Sequence, residues 1–165
     1  MAIRAATLDE YQVKAVFLFN FTQFVEWPAT AFADPGAPFV IGVLGQDPFG
    51  RHLDQVVEGE RVNGHRIVVR RLDRIEDAAG VHILYVDRSA GPQLAPDAVS
   101  RLDAQSTLTV SDADLQAARD VVIRFLNANN RIRLRINVNS AQSAKLVLSS
   151  KLLRPAEIVG REGAQ

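Results

Sequence analysis

The sequence predicts an α/β fold in one domain, residues 1–165, with an ordered core over about 7–159. The expected architecture is a mostly parallel, Rossmann-like sheet of about six strands with helices on both faces and a C-terminal antiparallel hairpin. Two observations carry this. Phe39–Leu44 and Val81–Val86 are apolar on both faces and alternate with helical patterns, which puts them inside a parallel sheet. The stretch from Val121 to Ile136 is an apolar run, an Asn-rich turn and a strict alternation, the pattern of a hairpin.

Bulk properties narrow the function. The chain has 165 residues, of which 47% are hydrophobic and 23% charged, so it is globular and large enough for one sizeable core. Nineteen basic residues balance nineteen acidic ones, which argues against a nucleic-acid binder. The absence of cysteine excludes disulfides, thiol catalysis and thiolate metal sites. The segment Met1–Glu10 has no apolar stretch of signal-peptide type, so no leader is expected within these residues.

The elements follow in order. Thr7-Leu8-Asp9-Glu10 has capping-box spacing, so a helix is expected from Thr7 to Trp27, stopped by Pro28. Lys14, Asn20, Gln23 and Glu26 interrupt its apolar run, which therefore falls short of a membrane span. Its apolar residues exceed one stripe, so a second buried side is expected. Phe17, Phe21, Phe24 and Trp27 are the residues expected at a homodimer interface; full burial within one chain is the other reading.

Phe39–Leu44 is the first strand. Asp47 and Pro48 then open a helix as N-cap and first helical residue, carrying Phe49, Leu53, Val56 and Val57. A turn over Gly59–Gly64 leads to a strand over His65–Leu72, and Val81–Val86 is the third strand. Asp87–Pro96 is a loop before a short helix with Val99 and Leu102. Ser106–Val110 is the fourth strand, and Ser111 caps a short helix ending near Arg119. Val121–Leu126 is an inner strand, Asn127–Asn130 a tight turn, and Arg131–Ile136 an edge strand with one arginine face. Asn139-Ser140 caps a short helix, and leucines crowd positions 146, 148, 152 and 153.

Few residues suggest chemistry. His52, His65 and His82 are scattered without metal spacing, and no nucleophile–base pair is apparent, so no catalytic site, metal or cofactor is expected. Asp87 and Asp112 fall at carboxyl ends of strands, where open parallel sheets bind ligands, and are also ordinary capping positions. Gly45 and Asp47 sit in a strand-to-helix turn that lacks the Walker lysine and the G-x-G-x-x-G spacing. Gly45, Asp47, Asp87 and Asp112 are the candidate ligand-binding residues. The arginines Arg131, Arg133 and Arg135 either block sheet-to-sheet aggregation or dock an acidic partner.

One family resemblance spans nearly the whole chain. Arg131-Ile132, Ile136-Asn137, Ala141, Ala144, Leu146, Leu148-Ser149-Ser150, Leu152-Leu153 and Ala156 resemble the C-terminal signature of the YfiR-like family. Lys14–Phe21, Phe24–Pro28 and Gly42–Gly50 resemble its earlier segments. Relatives often carry cysteines, which this chain lacks, and often Glu where Arg135 stands, so no contact is carried over there. The resemblance implies a non-catalytic periplasmic protein, with a leader removed ahead of residue 1. It would bind and repress the periplasmic sensor part of a membrane diguanylate cyclase in cyclic-di-GMP and biofilm control. The implied partners are that cyclase or a sensor kinase, and an outer-membrane lipoprotein. Arg131, Arg133, Arg135, Leu146, Leu152 and Leu153 are the expected partner-binding residues. The alternative from another class is a small-molecule-binding domain or enzyme using the carboxyl ends of the strands.

Overall fold

The computed structural model describes residues 2–113 and 120–160, with side chains from Glu10 onward. In chain order it forms α1 (Ala2–Phe24), β1 (Val25–Glu26), β2 (Phe39–Leu44), α2 (His52–Val57), β3 (Arg61–Val62), β4 (His65–Leu72) and β5 (Ile83–Val86). It continues with α3 (Pro96–Ala104), β6 (Leu108–Ser111), β7 (Ile123–Ala128), β8 (Arg131–Asn137), α4 (Val138–Ser143), β9 (Val147–Leu148), α5 (Ser150–Leu153) and β10 (Glu157–Val159).

The main sheet has eight strands in the order β10-β8-β7-β6-β5-β2-β4-β3. The five from β7 to β4 run parallel, as fully buried runs such as β2, β5 and β6 require. The β7–β8 hairpin turns on Asn129 and Asn130, both at positive φ, which Asn tolerates in a two-residue turn. Two short edge strands, β3 and β10, raise the strand number above the six read from sequence. Neither has enough residues to show a period.

Helices cover both faces. Ala15, Leu18 and Phe21 of α1, Leu53 and Val57 of α2, Ala141 and Ala144 from α4 onward, and Leu152 of α5 pack on one face with Phe39, Ile41, Tyr85, Phe125, Leu134 and Ile136. Ala98, Val99 and Leu102 of α3 join Ile75, Leu94 and Val121 on the other. A second sheet pairs β1 with β9, Val25 opposite Leu148. Among the described residues no helix is long and apolar enough to cross a membrane.

Several local expectations are corrected. Helix α1 starts at Ala2, so Thr7 lies inside it and not at its cap. Glu10 reaches Lys14 and Asn127 instead of its own helix start. The helix ends at Phe24 because the next residues pair with β9. Asp47 accepts the Phe49 amide at 2.8 Å in a tight turn, and α2 begins only at His52. Asn137, not Asn139, caps α4 by accepting from Ser140. Strand β8 is an edge only over Arg131–Leu134, since β10 covers Arg135–Asn137. The helix expected after Ser111 lies largely outside the described residues; the Ser111 hydroxyl donates to Val86 and accepts from Ala113.

Candidate functional site

The carboxyl ends of the parallel strands hold Gly45, Asp47, Asp87 and Asp112, and each has an internal role. A Cβ at Gly45, where φ is +96°, would fall 2.7 Å from Ser89 Oγ and 2.9 Å from Ala90 Cβ, so the turn after β5 packs directly on this glycine. Ser89 Oγ accepts the Gln46 amide at 2.9 Å. Asp87 caps the following turn by accepting from Ser89 N and Oγ. Asp47 also meets Arg71 at 2.7 Å, and Arg71 reaches on to Asp54 at 2.6 Å.

Asp112, at the end of β6, is the hub of a buried polar cluster. Lys14 Nζ donates to its Oδ2 at 3.0 Å, as does the Tyr11 hydroxyl, also at 3.0 Å. Lys14 and Asp112 side chains are each only 2% exposed. Glu10 accepts from Lys14 at 2.6 Å, and Lys14 lies 4.6 Å from the Tyr11 ring centroid. Burial pushes the Asp112 carboxyl up, but the hydroxyl of Tyr85, Lys14 and Tyr11 outweigh it and hold it below the usual carboxylate range. Burial and the Asp112 charge raise both tyrosines above their ordinary value. The cluster fixes α1 against the end of β6. Composition did not single out Lys14, although a lysine inside an apolar helical run was its one visible signal.

The expected partner-binding residues divide in two. Arg131, Arg133 and Arg135 share one face of β8, with Ala128, Leu126 and Arg124 as their respective cross-strand neighbours on β7. Arg131 and Arg133 are exposed, and Arg135 pairs with Glu157 of β10 at 3.1 Å. Leu146 and Leu152, by contrast, are core residues packed under α1. Their period was readable only as "apolar", which does not separate core from contact surface. Leu153 is half-buried and lines a cavity of about 260 Å³ with Val138, Ser150, Arg154 and Ile158.

The expected dimer residues also divide. Phe21 is fully buried within the chain, and Phe17 packs on Phe125 with ring centroids 5.9 Å apart. Trp27 lies edge-on to Phe39 at 4.8 Å. Phe24 is half-buried. The outward apolar face of α1 is instead Val13 and Val16, 44% and 46% exposed. Val16 borders a shallow cavity of about 290 Å³ with Gln12, His52, Gln55 and Val56.

The histidines are less scattered in space than in sequence. His65 and His82 both stack on Phe32, at 3.9 Å and 4.3 Å between ring centroids. Among the described residues no group of three metal-ligating side chains comes together.

Comparison with known proteins adds one finding. Residues 11–157 match the family model described as YfiR/HmsC-like. No curated protein matches the chain.

Proposed function

The chain belongs to the YfiR/HmsC-like family, and on that premise we propose that it is a periplasmic regulator that binds and represses the sensor part of a membrane diguanylate cyclase, without catalysis of its own. Membership suggests diguanylate cyclase signalling as the theme. The observation that carries the docking surface is the sheet edge built by β8 and β10. Exposed Arg131 and Arg133 lie on one face of that edge, and the cavity lined by Leu153 and Ile158 opens beside β10 on the other face, the one Ile158 shares with Ile136. An apolar anchor entering the cavity supplies affinity, while the arginines orient an acidic partner and speed association. An outer-membrane lipoprotein is proposed as the releasing partner, on the same family ground.

The test is the affinity of purified Leu153→Ala and Arg133→Glu for the periplasmic part of the cyclase. Leu153→Ala is expected to lose about 2 kcal/mol of binding, roughly thirtyfold. Unchanged binding by both, with both folded, moves the partner surface elsewhere.

A homodimer is part of the proposal, now through the Val13–Val16 face of α1 with Phe17 and Phe24 at its margin. Two exposed valines one turn apart form an apolar strip beside the α2 groove. Light scattering is expected to give a mass well above the 18.1 kDa of one chain, and Val16→Glu to return it to that value. A single-chain mass at every concentration contradicts the dimer.

A further inference from the structure

The segment from Trp27 to Pro38 links β1 to β2 and passes the amino ends of β4 and β5. Two histidines hold it down. His82 stands just before β5 and is almost fully buried. The Val40 amide donates to its Nδ1 at 3.1 Å. An amide N–H can only donate, so Nδ1 carries no proton. The other nitrogen, Nε2, therefore bears the hydrogen and donates to the Ala31 carbonyl at 2.8 Å. The ring also packs nearly parallel to Phe32, at 4.3 Å and 20°, and to Phe39, at 4.9 Å and 22°. His65, at the start of β4, stacks on Phe32 at 3.9 Å and 13° and meets the Ala37 carbonyl at 2.6 Å through Nδ1. A carbonyl only accepts, so here Nδ1 is the protonated nitrogen.

The two rings therefore answer acid differently. A proton added to His65 goes to Nε2 and leaves the Ala37 bond intact. A proton added to His82 must go to Nδ1, where it displaces the Val40 amide and leaves that donor buried without an acceptor, a costly state. We propose that the Trp27–Pro38 segment is an acid-released latch: a proton at His82 Nδ1 sets two N–H groups against each other at Val40, the ring leaves its seat, and its bond to Ala31 and its stacking on Phe32 go with it.

The surroundings agree. Burial pushes His82 below its ordinary value, the Ala31 bond opposes this, and His65 and Arg70 of β4 add repulsion. No carboxylate is among the groups acting on it. The strap's own acid, Asp34, accepts the Gly36 amide at 2.8 Å. With the latched value depressed, the closed state is fully favoured above the ordinary imidazole pKa of about 6.5 and loses its advantage as pH falls from there toward the depressed value. The strap joins β1, which pairs with β9, and Ser149 donates to the Phe24 carbonyl at 2.8 Å. Opening thus loosens the chain leading into α5. The latch does not depend on the partner reading above, and its failure leaves that reading standing.

A built-in reporter exists. Trp27 is the single tryptophan, and its indole N–H donates to the His82 carbonyl at 3.2 Å. Emission of Trp27 and amide hydrogen exchange of residues 28–38 would be followed on the full chain between pH 8 and pH 5. The expected result is a reversible red shift and roughly a tenfold loss of strap protection below about pH 6.5, with β2 and β5 still protected. His82→Gln keeps an acceptor and a donor but cannot titrate, so its response is expected to be flat, while His65→Gln still responds. A flat profile in the unaltered chain overturns the proposal, as does a folded His82→Gln that keeps the response. If His82→Gln does not fold, the ring resonances of His82 decide: strap opening without a matching His82 titration also overturns it.

Discussion

Replacing Lys14 by Ala is expected to lower stability by about 3–5 kcal/mol, the range for removing one member of a buried ion pair. The substitution leaves the Asp112 carboxylate under α1 with Tyr11 at 3.0 Å but no ammonium, and Arg88 remains 4.0 Å away on the solvent side. The pair's own net worth is much smaller than this cost, because two charges were desolvated to make it. A double variant, Lys14→Met with Asp112→Leu, is therefore expected to recover most of the loss. Against a typical total of about 5–15 kcal/mol the single change is large. It should lower the melting temperature by roughly 6–20 °C for a chain of this size. The sign with pH is also fixed. Asp112 is held below the usual carboxylate value, so its contribution is present above the unfolded value of about 3.9 and lost as pH falls through the depressed folded value. Lys14→Ala should flatten that acid limb. A urea titration at neutral pH showing less than about 1 kcal/mol of loss would mean that α1 is not fixed by this cluster.

Leu152→Ala is expected to cost about 2–5 kcal/mol of stability, with partner binding unchanged in whatever fraction folds. Leu152 is 5% exposed and lies in the cluster that joins α5 to α1 and the sheet. Leu146→Ala should behave alike, since its side chain is in the same cluster. The adjacent Leu153 should show the opposite balance, because it is half-buried at the cavity rim. Thermal melts and binding assays on the same preparations separate the two roles. A stable Leu152→Ala that loses the partner would return Leu152 to the contact surface.

How much of this was legible in the sequence depended on whether a segment carries a period. The buried strands β2 and β5 and the Asn-turned hairpin announce themselves, because apolar runs and a two-residue alternation each have few structural solutions. The parallel sheet with helices on both faces followed from them. Strands β1, β3, β9 and β10 are too short to show a period, and only tertiary pairing makes them strands. That is why Arg131–Ile136 reads as a full edge while half of β8 is covered. Site residues were harder. An apolar letter at 146, 152 or 153 does not say which way its side chain faces. Lys14 and Asp112 lie 98 positions apart, as do no neighbours in a local pattern. His65 and His82 meet only through Phe32, which neither spacing nor composition could show.

The central proposal is that the β8–β10 edge docks an acidic membrane-anchored partner. Its most direct test is the affinity of Arg133→Glu for the periplasmic part of the cyclase, at low and at high salt, with the unaltered chain alongside. Arg133 is exposed on β8 and has Leu126 as its cross-strand neighbour, so the change should leave the melting temperature nearly unaltered. The expected result is roughly a tenfold or greater loss of affinity at low salt, mostly in the association rate, shrinking as salt screens the charges. Equal affinity for the two chains at both salts would contradict docking at this edge.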